Sequence, residues 1–310
     1  MADIILLLGT TASGKSAASM ALAPLLNAEI VSVDSMQVYR HMNIGTAKPT
    51  AAELAAVPHH LIDVVDPSES MSVARFVELA DAAIADILAR GRRALIVGGT
   101  PLYLMGLMYG LFDGPSADAA LRDELRARAE REGIAALHAE LRTVDPAAAD
   151  RIHLNDYKRI ERALEVFRLT GRPLSEQQVQ WTDGKLRYPA TIVGIARHKD
   201  DASRRINARV RQMIDAGLVA EVEQLNREFD LSQQARQALG YAEILRYLTG
   251  ELSLNDAIEE IKIHTRQFAK HQRTWYRKFP QNQWVEVSEG ELNPLAITHL
   301  ERLATEDYQT

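Results

Sequence analysis

The sequence predicts an α/β protein built on a parallel sheet flanked by helices, with a helical insertion. Three observations carry that expectation. Strand-like and helix-like runs alternate through the N-terminal third, a glycine-rich loop follows directly on the first apolar run, and an Ala-, Arg- and Glu-rich stretch interrupts the alternation after Gly114-Pro115. Strands separated by helices pair in parallel, because each crossover returns the chain to the same end of the sheet. The strand runs are Ile4 to Leu8, Glu29 to Val33, Leu61 to Val65 and Arg93 to Val97, with helical patterns between them at Lys15 to Leu26 and Ser72 to Leu88. The stretch from Asp118 to Thr170 reads as helical, so residues 115–189 are taken as an insertion domain and residues 1–114 with 190–310 as the core domain. Thr191 to Ala196 returns to a strand pattern. From Asp200 the chain is mostly helical, with turns at Gly217, Gly240 and Gly250 and a last strand at Trp284 to Val287.

Composition narrows the function classes. At 310 residues with 46% hydrophobic content the chain buries a full core without covalent staples. It has no cysteine, which excludes disulfides, thiolate metal sites and cysteine nucleophiles and fits a reducing, cytoplasmic setting. Apolar runs are short and no basic leader precedes the first strand, so neither a membrane span nor a signal peptide is expected. Monomer is the default state. A net charge of -6 means that any nucleic-acid role requires a local basic patch.

Gly9-Thr10-Thr11-Ala12-Ser13-Gly14-Lys15-Ser16 has the makings of a phosphate-binding P-loop. Its glycines permit backbone angles that let successive N–H groups turn inward around phosphate oxygens at a helix N-terminus. Lys15 adds a point charge, and Ser16 a hydroxyl suited to Mg²⁺. The next strand ends in Asp34, where strand C-termini of an open α/β sheet face the ligand crevice. A carboxylate there either accepts a proton from an attacking group, holds Mg²⁺ through water, or caps the following turn. Strand 93–97 runs into Gly98-Gly99-Thr100-Pro101-Leu102-Tyr103 without the acidic residue that a hydrolytic ATPase places there. Two glycines and a hydroxyl leave room for a substrate near the backbone, and Thr100 with Pro101 also suits a helix start.

A basic segment supplies the patch. Ile261 to Phe279 contains Lys262, Arg266, Lys270, Arg273, Arg277 and Lys278 with no acidic residue, and the first five recur at helical steps that put them on one face. Trp275 and Tyr276 add aromatic surfaces for stacking on bases. Lys158, Arg159 and Arg162 make a smaller basic group in the insertion. Arg204, Arg205, Arg209 and Arg211 share one helical segment, where a guanidinium either clamps a diphosphate or pairs with carboxylates; Arg209 is the candidate clamp. His59-His60 is read as structural, since adjacent strand residues point to opposite faces.

Together these residues resemble the tRNA dimethylallyltransferases. The family's three ordered motifs match Gly9 to Ser16, Asp34-Ser35-Met36-Gln37-Val38-Tyr39 and Gly98 to Tyr103. Further matches are His59 to Asp63, Asn155-Asp156 with Arg159-Ile160 and Arg162-Ala163-Leu164, Gly240-Tyr241, and Arg266 to Lys270 running to Thr274-Trp275. The resemblance spans nearly the whole chain and implies a P-loop NTPase-like core. It implies transfer of a dimethylallyl group from dimethylallyl diphosphate to N6 of adenosine-37 in a tRNA, beside the anticodon, with diphosphate leaving. On this reading Gly9 to Ser16 and Arg209 hold the diphosphate with Mg²⁺ ordered by Ser16, Asp34 is the general base, and Thr100 positions that region. The resemblance also puts Ser35, Met36, Gln37 and Thr100 against the bases of the anticodon stem-loop. Arg122, Lys158, Arg159, Ile160, Glu161 and Arg162 face the tRNA from the insertion, and Gly240, Tyr241, Lys270, Arg273, Trp275 and Arg277 meet its backbone. Base flipping is implied, since a stacked amine is out of reach. Thr10 stands where many members have proline, and His271 where arginine is common. Residue chemistry alone leaves two rivals: a small-molecule kinase of the P-loop class, and a noncatalytic RNA-binding module that keeps a P-loop.

Overall fold

The structure, a computed structural model, describes residues 3–112, 114–178, 181, 184–287, 290 and 292–305. The chain forms two compact units, Met1–Met108 with Leu186–Thr310, and Tyr109–Lys185.

Strand β1 (Ile4–Gly9) is buried along its whole length, as expected of an apolar run flanked by strands on both sides. Helix α1 (Lys15–Leu25) starts directly after Gly14 and buries Ala18 and Leu22. Strand β2 (Ala28–Val33) leads to a long irregular segment and helix α2 (Ala51–Ala56). A capping box starts α2: the Thr50 hydroxyl accepts from the Glu53 N–H, and the Glu53 carboxylate accepts from the Thr50 N–H.

The expected strand at Leu61 to Val65 is not there. The pairing is made one step earlier, by β3 (His59–His60), only two residues long. Leu61 and Asp63 then take positive φ angles of 67° and 57°, which no strand accommodates, and only Val65 returns to bridge Tyr39. An apolar run cannot report that kink. Helix α3 (Val73–Ala89) begins on the Ser72 cap, and β4 (Arg93–Gly98) follows, then α4 (Pro101–Tyr109).

The Ala-Arg-rich stretch folds as α5 (Ala119–Glu132), α6 (Ile134–Val144), α7 (Pro146–Arg151), α8 (Tyr157–Thr170) and the short α9 (Leu174–Gln177). Its own core contains Leu125, Leu137, Leu141, Ile160 and Leu164. Each fully buried Leu contributes about 1.5–3 kcal/mol of transfer free energy. Asp145 is buried here because its carboxylate caps α7 through the Ala148 N–H and accepts from the Ser175 hydroxyl and N–H.

The sheet resumes with β5 (Ala190–Arg197), followed by α10 (Lys199–Asp215), α11 (Leu218–Glu228), α12 (Gln233–Arg236), α13 (Tyr241–Leu248) and the long α14 (Leu254–Tyr276). Strand β6 (Gln283–Val287) and α15 (Pro294–Thr305) complete the order. All six strands run parallel in the order β3-β2-β4-β1-β5-β6. Connections from β1 run toward β2, whereas the later chain passes to the other side through β5. That reversal opens a crevice at the C-terminal ends of β1, β2 and β4.

The outer part of β2 carries a buried charge. Glu29 is 2% exposed, yet its carboxylate accepts two bonds from Arg90 and one from His60 Nε2 at 2.7 Å. The Arg90 guanidinium chiefly, with His60, outweighs burial and holds this carboxyl down at about 2. His59, on the neighbouring residue, bonds the Val57 carbonyl instead. A depressed carboxyl stabilises the fold above its unfolded pKa of about 4.5 and loses that contribution as pH falls toward 2. Glu29→Gln is therefore expected to lower Tm at pH 7 and to flatten the fall in Tm between pH 4.5 and 2, as read by circular dichroism melts. An unchanged acid profile would remove Glu29 as its source.

Candidate active site

The loop between β1 and α1 is held from outside. A P-loop works by turning N–H groups inward, and each inward N–H turns the preceding carbonyl outward, where it needs a donor. Those donors are present. The Gly9 carbonyl accepts from Lys15 Nζ (2.6 Å) and the Tyr276 hydroxyl (2.8 Å), and Thr10 O accepts from Lys15 Nζ and the Ser13 N–H. Arg205 Nε donates to Ala12 O at 3.1 Å and Arg197 Nε to Ser13 O at 2.7 Å. Arg197 is itself fixed by the buried Asp201 at 2.7 Å. Ala12 takes a left-handed φ of 61° and Gly14 one of 103°, so only the second position has the residue that accepts it without strain.

The opposite wall is built from the ends of β2 and β4. Asp34 Oδ1 accepts the Met36 N–H (2.8 Å) and the Gln37 N–H (3.2 Å), an Asx turn that fixes the carboxylate; Oδ2 has no hydrogen bond among the described residues. Thr100 does not spend its hydroxyl on α4, as a helix cap would. Its Oγ1 accepts the Ser35 N–H at 2.9 Å and donates to Ser35 Oγ at 3.2 Å, tying β4 to the segment after Asp34. Gly98 and Gly99 are required by close approach: a Cβ would lie 2.1 Å from Val33 O at the first and 2.3 Å from Gln272 Nε2 at the second.

Between these walls lies a cavity of about 1110 Å³, bordered by Gly14, Lys15, Ser16, Asp34, Gly99 and Arg209 among others. Burial foremost, then the positive charge of Arg209, pushes the Lys15 ammonium down to about 7, with Asp34 pulling it back. Burial, with Arg205 close by, likewise lowers Arg209. Arg209 has no hydrogen bond or ion pair among the described residues. Buried cations crowded together, with Asp34 as the carboxylate acting on both, are the mark of an anion site. A divalent cation also fits. Among the described residues Ser16 Oγ makes no hydrogen bond, Asp34 stands on the same cavity, and no cluster of three or more His, Cys, Asp or Glu completes a protein cage. Such a donor set suits a hard ion that keeps water and phosphate oxygens as ligands.

Several expected site residues are brought to this cavity: Thr11 to Ser16, Asp34, Gln37 and Arg209 all border it, while Arg204 and Arg211 do not. Others are committed elsewhere. Gln37 uses its amide on Ser32 Oγ and on the Thr46 and Ala47 carbonyls. Arg122 and Arg162 clamp Glu165, which is wholly buried in the insertion, so their charges neutralise a carboxylate there. Ile160 is core and 0% exposed, which rules it out as a surface contact. Arg159 pairs with Asp156, and Glu161 accepts from the Tyr157 hydroxyl. Tyr241 is also buried; it packs on Gly45 and donates to Glu221. Glu221 in turn accepts the Asn43, Ile44 and Gly45 N–H groups, pinning a segment of the cavity wall.

The basic face of α14 is uneven. Lys270, Arg273 and Arg277 are exposed, but Lys262 is buried against Glu259 and Arg266 bonds Asn207. Tyr276 is 2% exposed with its hydroxyl on Gly9 O, so it offers no stacking surface; Trp275 carries Lys278 Nζ at 4.3 Å over its ring. Three site-building residues escaped the sequence reading: Arg197, Glu221 and Gln272. Gln272 is one of several uncharged polar residues within a run read for its cations and aromatic rings.

The chain is similar to known proteins along most of its length. A family model for IPP transferase matches residues 37–279, and one for isopentenyl transferase matches residues 2–67. The chain is 50% identical over 287 residues to a tRNA dimethylallyltransferase of Methylococcus capsulatus, covering 92% of each chain, and 46% identical over 284 residues to one of Geobacter sulfurreducens, covering 91% of each. Among solved structures it resembles the tRNA isopentenylpyrophosphate transferase of Bacillus halodurans, with a TM-score of 0.71, 40% identity and 96% and 94% of the two chains covered. A eukaryotic dimethylallyltransferase acting on tRNA gives a TM-score of 0.77 at 30% identity, covering 91% of this chain and 73% of that one.

The depressed Lys15 has a measurable consequence. Above pH 7 the unliganded ammonium is largely neutral, and a bound anion restores its charge, so binding draws in a proton. At pH 8 inorganic diphosphate is expected to bring about one more proton into the wild type than into Lys15→Arg, whose guanidinium is always charged. Calorimetry in buffers of different ionisation enthalpy reads the difference; equal uptake would place Lys15 away from the anion.

Proposed function

The chain belongs to the tRNA dimethylallyltransferase family, and from that premise we propose how its cavity performs the transfer. The reaction joins a dimethylallyl group from dimethylallyl diphosphate to N6 of adenosine-37 in a tRNA and releases diphosphate. One observation supports the reading above all: Asp34, with Oδ1 held by two amides and Oδ2 unengaged, shares a cavity with the cation-lined phosphate loop.

The Gly14, Lys15 and Ser16 amides, Lys15 and Arg209 bind the diphosphate, with Arg205 behind the loop. N6 attacks the allylic carbon as its bond to the diphosphate oxygen breaks, and the proton lost from N6 passes to Asp34. The leaving diphosphate carries away the electron pair of the broken bond. An exocyclic amine conjugated to a purine is a weak nucleophile, so a fixed carboxylate at its proton is what the step needs. Thr100 holds Ser35, and with it the acceptor end of the cavity. Ser16, and Asp34 through water, would hold Mg²⁺, which would supply charge to neutralise the diphosphate as it leaves.

The acceptor is the anticodon stem-loop, with its target base flipped out and its backbone against Lys270, Arg273, Trp275 and Arg277. Lys158 and Arg159 serve it from the insertion domain, residues 115–189. Ser35 and Met36 lie nearest the bases, while Gln37, Arg122, Ile160, Glu161, Arg162, Gly240 and Tyr241 shape the surfaces that the RNA meets. No described helix is long and apolar enough to cross a membrane. We place the enzyme in the cytoplasm as a monomer.

The test is incubation with dimethylallyl diphosphate, Mg²⁺ and an unmodified stem-loop bearing consecutive adenosines, followed by nucleoside mass analysis. Dimethylallyl-adenosine is the expected product; its absence would defeat the reading. Asp34→Asn is expected to lower kcat at least a hundredfold while stem-loop affinity stays within about threefold, in keeping with loss of a general base. Turnover near wild type would remove Asp34 from that role. Lys270→Glu with Arg273→Glu is expected to weaken stem-loop binding and flatten its salt dependence, as filter binding across a salt series would read.

A further inference from the structure

We infer that Gln272 is a positioning residue that sets the distance between the two reacting groups. It lies on the inner side of α14 and is 1% exposed. Its single amide is divided between the two walls of the cavity. Oε1 accepts the Thr11 N–H of the phosphate loop at 2.7 Å, and Nε2 donates to the Gly99 carbonyl at 2.7 Å. Both bonds are at good length, and the amide offers an acceptor and a donor side by side on one planar head, which Asn offers only on a shorter stem.

The two bonded groups belong to different substrates. Thr11 is part of the loop that holds the diphosphate, whereas Gly99 precedes Thr100, which holds Ser35 beside Asp34. The link therefore runs from loop to Gln272 to Gly99 to the acceptor end. Glycine at position 99 belongs to the same device, because a Cβ there would sit 2.3 Å from Gln272 Nε2. Two turns of sheet backbone that β1 and β4 leave free beyond their last pairing, Leu7 with Val97, are thereby pinned to one another. A displacement of 1 Å between reacting atoms is enough to cost about a hundredfold in rate, so a strut across the gap acts on the chemical step. It borders the cavity with both amide atoms committed to protein, so its loss changes alignment more than affinity.

The inference rests on the transferase reading above. Its test compares Gln272→Met, which keeps volume and removes both bonds, with Gln272→Glu, which keeps an acceptor for Thr11 and sets a carboxylate against the Gly99 carbonyl. Gln272→Asn, too short to span both partners, serves if the first two fail to fold. Single-turnover rates with dimethylallyl diphosphate and stem-loop are expected to fall at least tenfold in each folded variant. Binding of inorganic diphosphate and of stem-loop is expected to stay within about threefold. Rates unchanged in a folded variant would overturn the inference. So would rate loss matched by equal loss of both affinities, or loss that merely tracks the folded fraction, as calibrated by the remote core variant Ile84→Val. Wild-type protein that forms no product would instead strike the transferase reading itself.

Discussion

The active site depends on satisfying the carbonyls of one loop. To present amides to an anion, the backbone at Gly9 to Ser13 must point its carbonyls away from it, into protein where water is scarce. A buried carbonyl without a donor costs about 1–3 kcal/mol. Here Gly9 receives two, from Lys15 and Tyr276, Thr10 two, from Lys15 and the Ser13 amide, and Ala12 and Ser13 one each, from Arg205 and Arg197. Apart from the Ser13 amide, which lies in the loop, these donors come from α1, α14, α10 and β5. The C-terminal helices thus hold the glycine-rich loop although they carry none of its glycines.

The acceptor end is built on the same principle with carboxylates and phenols. Asp34 orders the two amides after it, and Glu221 takes three more from Asn43, Ile44 and Gly45. The tyrosines that close two of the sequence motifs act as pins. Tyr39 bonds Gln234, which with Tyr39 receives the Met71 N–H, and the Tyr103 hydroxyl donates to the Met71 carbonyl. Both rings are buried, so the motif residues easiest to recognise in the chain are scaffold as much as chemistry.

Legibility followed the range of the forces involved. The P-loop and the six-stranded parallel sheet were readable because glycine placement and apolar runs are local demands of the backbone. Strand β3 was misplaced because the kink at Leu61 and Asp63 is enforced by tertiary partners, among them Lys48, which bonds Asp63 from a buried position. Helical spacing put the α14 cations on one face, as found, yet could not say that Lys262 would be covered and Lys270 left in water. Ile160 and Tyr241 read as contacts through the family resemblance, which does not report burial; both are core. Arg197 and Glu221 gave no local signal, since their partners lie far away in the chain.

Helix α14 serves two masters on opposite sides. Toward the sheet, Gln272 and Tyr276 bond backbone atoms of Thr11, Gly99 and Gly9; toward solvent, Lys270, Arg273 and Arg277 are exposed. A substitution on the outward side therefore leaves the inward hydrogen bonds untouched. One helix thus carries two sets of residues that answer to separate physical demands.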